Sequence, residues 1–115
     1  ALATGIKGFI GSQHNILGEA FNSVRSAWAK GDVETARKRQ LTAIDMLDSE
    51  LEMPAGVNGL KVLANIAGLP VGPARLPNIQ PTTEELIALT DAAKNWCQSL
   101  DAGFTVFWCN NLLAK

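Results

Sequence analysis

Gly8-Phe9-Ile10-Gly11-Ser12-Gln13-His14-Asn15 is the stretch on which the fold turns. Its first half, with Lys7, reads as one short strand over residues 7–12, bounded by glycines. Alternation sends Phe9 and Gly11 to one face of that strand, and Ile10 and Ser12 to the other. A single strand cannot satisfy its own backbone N–H and C=O groups, so it requires a partner. No partner is obvious in this chain. The later run Phe104-Thr105-Val106-Phe107-Trp108-Cys109 has strand-like composition, but in a weak context.

Outward from this stretch the pattern is helical. On the N-terminal side, Gly5 looks like the stop of a helix whose beginning lies outside the sequence. On the C-terminal side, helices are expected at about 16–30, 32–52, 57–67 and 82–100. In the first, Phe21, Val24 and Trp28 recur at helical spacing, with Ala20 and Ala27 beside them, and Gly31 supplies the stop. Asp32 is a good N-cap for the second, and Glu34 suits its positive end. That helix should bury Val33, Ala36, Ala43, Ile44, Leu47 and Leu51, with Glu34 and Lys38 as an i, i+4 pair. Pro54 and Gly56 mark a break, and Gly68 and Pro70 end the third helix. Prolines at 70, 73 and 77 forbid a regular element there. Thr82 and Glu85 fit a capping box for the last helix, whose apolar face is Leu86, Leu89, Ala93, Trp96 and Leu100.

Composition narrows the class. With 47% hydrophobic residues, 18% charged residues and a net charge of −1, the chain of 115 residues is a globular unit, not a disordered one. Its ten basic residues are scattered among eleven acids, so no nucleic-acid partner is expected. No apolar run approaches the roughly 18 to 20 residues of a membrane span, so no membrane partner is expected either. His14 is the only histidine, and Cys97 and Cys109 form no CxxC pair, so no metal site is expected. The two cysteines allow one disulfide. No signal peptide is visible, and the expected location is cytoplasmic.

Few residues offer chemistry. Gly11 near a strand end would let a ligand approach, and Ser12 would present a hydroxyl and an N–H there. The plain alternative is a strand-to-helix turn with Ser12 as a local cap. A Ser12–His14 nucleophile–base pair is disfavoured, because neighbouring side chains rarely face one another and no acid orients the ring. Asn15 reads as a helix cap. Lys7 and Lys61 have apolar neighbours; a buried lysine can attack a carbonyl, but both read more simply as solvated, Lys61 by extending its stem. Arg75, between prolines, would tie its loop to carbonyls or a carboxylate. Asp45 and Asp48 share a solvated helix face, and Trp28 and Trp96 read as core.

The blocks Gly8 to Asn15, Gly31-Asp32, Ala36, Gln40, Gly59-Leu60-Lys61 and Gly72-Pro73-Ala74-Arg75-Leu76-Pro77 resemble, in order and spacing, the N-acetylneuraminate lyase and dihydrodipicolinate synthase family. The resemblance covers about residues 1–100, and residues 101–115 form a tail unlike the family. Gly11-Ser12 before Asn15 looks more like the lyase branch. The resemblance implies a truncated (β/α)8 TIM barrel, mostly α in this chain: the last barrel strand plus the C-terminal helices. It further implies a class I aldolase, usually a homotetramer, in which a strand lysine forms a Schiff base with pyruvate and a tyrosine relays protons. Such an enzyme cleaves sialic acid to N-acetylmannosamine and pyruvate without a cofactor. Ser12 matches the serine that hydrogen-bonds the substrate's sugar chain. Ile10 matches a position whose carbonyl lies near the pyruvate site, with Gly11 leaving room beside it. No catalytic residue is expected within this chain, which has no tyrosine; Lys7 is not on the catalytic strand. Related readings are a dihydrodipicolinate synthase, a 2-keto-3-deoxy-sugar-acid aldolase, or a non-catalytic helical interaction module.

Overall fold

A computed structural model of the chain describes residues 1–51, 59–101, 104 and 106–114. A single 3-10 turn, Leu2–Thr4, is followed by five helices: α1 (His14–Ala29), α2 (Val33–Leu51), α3 (Gly59–Ile66), α4 (Thr83–Ser99) and α5 (Phe107–Leu113). Gly5 ends the first turn with φ 82°, a conformation that a side chain would strain.

Local signals explain where the long helices begin. The Thr35 amide donates to Asp32 Oδ1 at 3.0 Å, which caps α2. The Glu85 amide donates to Thr82 Oγ1 at 3.2 Å while the Thr82 amide donates to Glu85 Oε2 at 2.6 Å, a complete capping box for α4. Helix α1 starts without a side-chain cap, and Leu17 (φ −105°, ψ 18°) kinks its first turn. Lys38 pairs with Asp101 at 3.0 Å rather than with the expected Glu34, and both partners are well exposed. Such a pair contributes little.

The helices α1 and α2 pack along one another, and α3, α4 and α5 close the remaining sides of one core. That core takes Ile16, Leu17 and Ala20 from α1, Ala43 and Met46 from α2, and Val62 and Leu63 from α3. Leu89, Ala93 and Trp96 join it from α4. The C-terminal residues supply Phe104, Val106, Trp108 and Leu112, and Trp108 is fully buried. Its ring stacks on Trp96 with centroids 5.8 Å apart, and its Nε1–H donates to the Ile16 carbonyl at 3.0 Å. Cys97 and Cys109 form a disulfide that ties α5 to α4.

Several expectations are corrected. Residues 7–12 are not a strand; they run without helix or ladder between the 3-10 turn and α1. Among the described residues there is no strand at all, so no ladder partner is present for this segment. The strand-like run near the C-terminus is helical from Phe107, because Trp108, Cys109 and Leu112 then fall together on the core. Val33 and Ile44 are exposed on α2, where Ala36, Ala43 and Met46 form the buried line instead. Leu86 is exposed on α4, and Trp28 keeps 36% of its surface exposed while Trp96 keeps 5%. The expected ends of the helices at residues 52 and 57 lie outside the described residues.

Replacing Trp108 by Ala removes the largest buried ring and should cost about 3–5 kcal/mol of stability. Urea unfolding followed by circular dichroism measures this, and a loss under about 1 kcal/mol would show that α5 is not part of the core. A pH dependence follows from Asp32, whose carboxyl is held below its ordinary value by hydrogen bonds from Thr35. Because the folded value is depressed, this contribution is present above the unfolded carboxylate range and disappears as pH falls through the folded value. Asp32→Asn should therefore flatten the acid limb of a melting-temperature profile, leaving neutral and basic pH dependence unchanged.

Candidate functional site

The segment Lys7 to Ser12 joins the 3-10 turn to α1. The backbone N–H and C=O groups of Lys7, Gly8, Phe9 and Ile10 make no hydrogen bond with any described residue. Ile10 is completely exposed, and Phe9 keeps 42% of its surface. Order begins at Gly11, whose carbonyl accepts from the His14 amide at 3.1 Å as α1 starts. The Asn15 side chain donates to the Ser12 carbonyl at 2.8 Å and steadies the same turn.

The three residues expected to touch a substrate are therefore consecutive but unlike in setting. Ile10 stands in the open, Gly11 is half-buried and Ser12 is exposed. Ser12 Oγ donates to Gln13 Oε1 at 3.2 Å, the only partner it has among described residues. The room beside Gly11 is taken up within the chain itself. A Cβ there would lie 3.0 Å from His14 Nδ1. His14 stacks on Phe21 with ring centroids 4.5 Å apart, and its Nδ1 lies 3.2 Å from the Gly11 carbonyl. Ser12 and His14 thus turn to different partners and form no pair.

Other candidates are placed elsewhere. Lys61 Nζ donates to the carbonyls of Val71 and Pro73, at 3.4 and 3.2 Å. Asn65 bonds Gly72 through both its Nδ2 and its Oδ1, so α3 pins the proline-rich loop from two sides. Arg75 contributes its backbone carbonyl, which accepts from Asn78 Nδ2 at 2.7 Å, while its guanidinium has no partner among described residues. No group of three His, Cys, Asp or Glu side chains that could hold a metal occurs among the described residues. None of their helices is long and apolar enough to cross a membrane.

Beside the open segment lies a groove of about 660 Å³, walled by the N-terminal residues, α1 and α2. Ile10 is on its edge, whereas Gly11 and Ser12 do not line it. The helical spacing that makes Trp28 look like a core residue hides this feature in the sequence. A signal was available: Phe21, Arg25 and Trp28 share one face of α1, and Val33, Arg37 and Gln40 share one face of α2. Each stripe carries an arginine within it.

Comparison with known proteins adds to this geometry. The profile of the dihydrodipicolinate synthetase family matches residues 1–96. The N-acetylneuraminate lyase of Gallus gallus is 40% identical over 93 residues, covering 80% of this chain and 30% of that enzyme. The N-acetylneuraminate lyase of Sus scrofa is 33% identical over 116 aligned residues, covering 99% of this chain and 35% of that enzyme. A 4-hydroxy-tetrahydrodipicolinate synthase of Mycolicibacterium paratuberculosis is 34% identical over 89 residues, covering 77% and 29%. The chain thus spans about a third of the length of the curated relatives it matches. The pig alignment runs through the tail, where the family profile has already ended. No solved structure matches the chain.

Proposed function

Because this chain belongs to the dihydrodipicolinate synthetase family, we propose that it is the C-terminal part of an N-acetylneuraminate lyase-like class I aldolase. The whole enzyme would cleave sialic acid reversibly to N-acetylmannosamine and pyruvate through a Schiff base, as a cytoplasmic homotetramer. The observation that carries this reading is the Lys7–Ile10 backbone, whose hydrogen-bonding groups are all unmatched among the described residues. A segment of that kind is completed by pairing with neighbouring strands. Pairing would convert the stretch into a barrel strand with Gly11 and Ser12 at its C-terminal end, the edge at which barrel enzymes bind ligands.

In that setting Ile10 offers its carbonyl near the pyruvate, and Ser12 Oγ turns from Gln13 to a hydroxyl of the sugar chain. Gly11 keeps side-chain bulk away from both. Lys7 and Lys61 take no part in the chemistry: Lys7 is exposed, and Lys61 is engaged with loop carbonyls. The chain alone is inactive, since the amine that attacks pyruvate and the hydroxyl that relays protons belong to other parts of the enzyme. The mycobacterial synthase at 34% identity supports a second reading, in which the whole enzyme condenses pyruvate with another carbonyl compound.

Incubating the 115-residue chain with pyruvate and borohydride should leave its mass unchanged. A stable pyruvyl adduct on any lysine would overturn the assignment of inactivity. For the whole enzyme, the chain can replace the matching stretch of the chicken lyase. The chimera should release pyruvate from N-acetylneuraminate, and Ser12→Ala should raise KM for it by about tenfold, the scale of one lost substrate hydrogen bond. Release of pyruvate only from other 2-keto acids would favour the second reading.

A further inference from the structure

Helices α2 and α4 begin at side-chain caps of their own, whereas α1 begins at Gln13 with none. Ser12 is tied to that uncapped turn, since the side chain and the amide of Asn15 both donate to its carbonyl. The Ile16 and Leu17 amides donate in the same way to the Gln13 carbonyl. What steadies the turn from outside is the C-terminal tail. Trp108 Nε1–H donates to the Ile16 carbonyl at 3.0 Å, immediately before the kink at Leu17. Kinks of this kind arise where a side chain enters the helix ladder. Glu19, on the next turn of α1, accepts from the Phe107 amide and so caps α5, which has no side-chain cap of its own. The starts of α1 and α5 therefore complete one another. The tail is held down by the disulfide between Cys97 and Cys109, the two cysteines of the chain, both of them buried. The family profile ends at residue 96, so this latch lies beyond the stretch it matches.

We propose that α5 is a redox-sensitive clasp: with Cys97–Cys109 closed it holds the first turn of α1, and hence Ser12, in place for substrate, and reduction of the pair loosens that turn. The proposal rests on the reading of Ser12 as a substrate contact and adds what controls it. A dithiol supplies the electrons. Its thiolate attacks one cysteine sulfur and expels the other as a thiolate, and its second thiol then resolves the mixed disulfide. The S–S bond of the protein is replaced by one in the reductant, and Cys97 and Cys109 each gain a proton. Because both cysteines are buried, exchange passes through undocking of α5, which so short a helix allows. A bridge across 12 residues favours the docked tail by about 100-fold, the scale of loop-closure entropy. In a cytoplasmic enzyme, where thiols are kept reduced, closure of the pair marks oxidising conditions.

Hydrogen exchange of the 115-residue chain, oxidised and then reduced with dithiothreitol, reads the clasp directly. Reduction should speed exchange of the Leu17 amide by about 10- to 100-fold. The Ala36 amide, at the self-capped start of α2, should keep its rate. Unchanged exchange at Leu17 would overturn the proposal, and so would an equal acceleration at Ala36, which is general loosening.

In the chicken-lyase chimera, dithiothreitol should raise KM for N-acetylneuraminate about fivefold at constant kcat, short of the effect of Ser12→Ala. Cys97→Ser with Cys109→Ser should show the raised KM with and without reductant. In Ser12→Ala the reductant should change nothing, because two perturbations acting through one residue do not add. Trp108→Phe, which keeps a ring but loses the N–H, should raise KM as reduction does. A shift that persists without the cysteines, one that adds to Ser12→Ala, or a fall in kcat alone would each sink the clasp. A chimera that releases no pyruvate from N-acetylneuraminate would count against the lyase reading instead, and exchange at Leu17 then decides the clasp by itself.

Discussion

Two indole rings organise the core. Trp96 on α4 donates its Nε1–H to the Thr42 carbonyl on α2, and it stacks on Trp108 of α5, which donates in turn to the Ile16 carbonyl on α1. Four helices are thus joined through one stack, with each indole N–H satisfied at a backbone carbonyl. A buried indole without such a partner would be costly. The arrangement therefore fixes the angle and register of α4 and α5 against the α1–α2 pair. Phe104 meets the Trp96 ring edge-on, and the disulfide between Cys97 and Cys109 closes the same corner. The short α5 could not persist alone, since a helix of seven residues is marginal without tertiary packing.

This well-ordered corner contrasts with the opposite one. Around Lys7 to Ile10 the backbone is unmatched among the described residues, large apolar side chains face solvent, and Lys7, Arg25 and Arg37 have no partner among those residues. The radius of gyration, 14.8 Å, exceeds the roughly 13 Å of a compact domain of this length, in keeping with an open side. The two corners meet in α1. Its Ala20 and Leu17 serve the closed core, while Phe21, Arg25 and Trp28 serve the groove. One helix thereby couples a finished interior to an unfinished surface, and the candidate substrate residues lie at its start.

Much of the helical architecture was legible because its causes are local. Asp32 with Thr35, and Thr82 with Glu85, are capping contacts made across three residues, so their spacing already specifies them. Gly31 takes φ 78° between α1 and α2, the turn its position suggested. Burial was less legible. Trp28 and Trp96 look alike in helical spacing, yet only Trp96 meets a partner ring; the difference lies in what each helix face packs against. Ser12, Gly11 and Ile10 were identifiable as a group, but their present contacts were not. The approach of His14 to Gly11 depends on the ring finding Phe21, about two helical turns away.

By itself, then, the sequence determined the main helices, their caps and breaks, and membership of the dihydrodipicolinate synthetase family, since these follow from short-range spacing and ordered motifs. The tertiary structure decided that Phe107–Leu113 is a helix within the core and that residues 7–12 join no ladder among the described residues. It also decided that two arginines share one apolar groove. Each of these outcomes depends on partners far away in the chain: Ile16 for Trp108, α2 for the face of α1, and an absent ladder for the N-terminal segment. Hydrogen-bond pairing and burial are long-range conditions, and only the assembled chain reveals whether they are met.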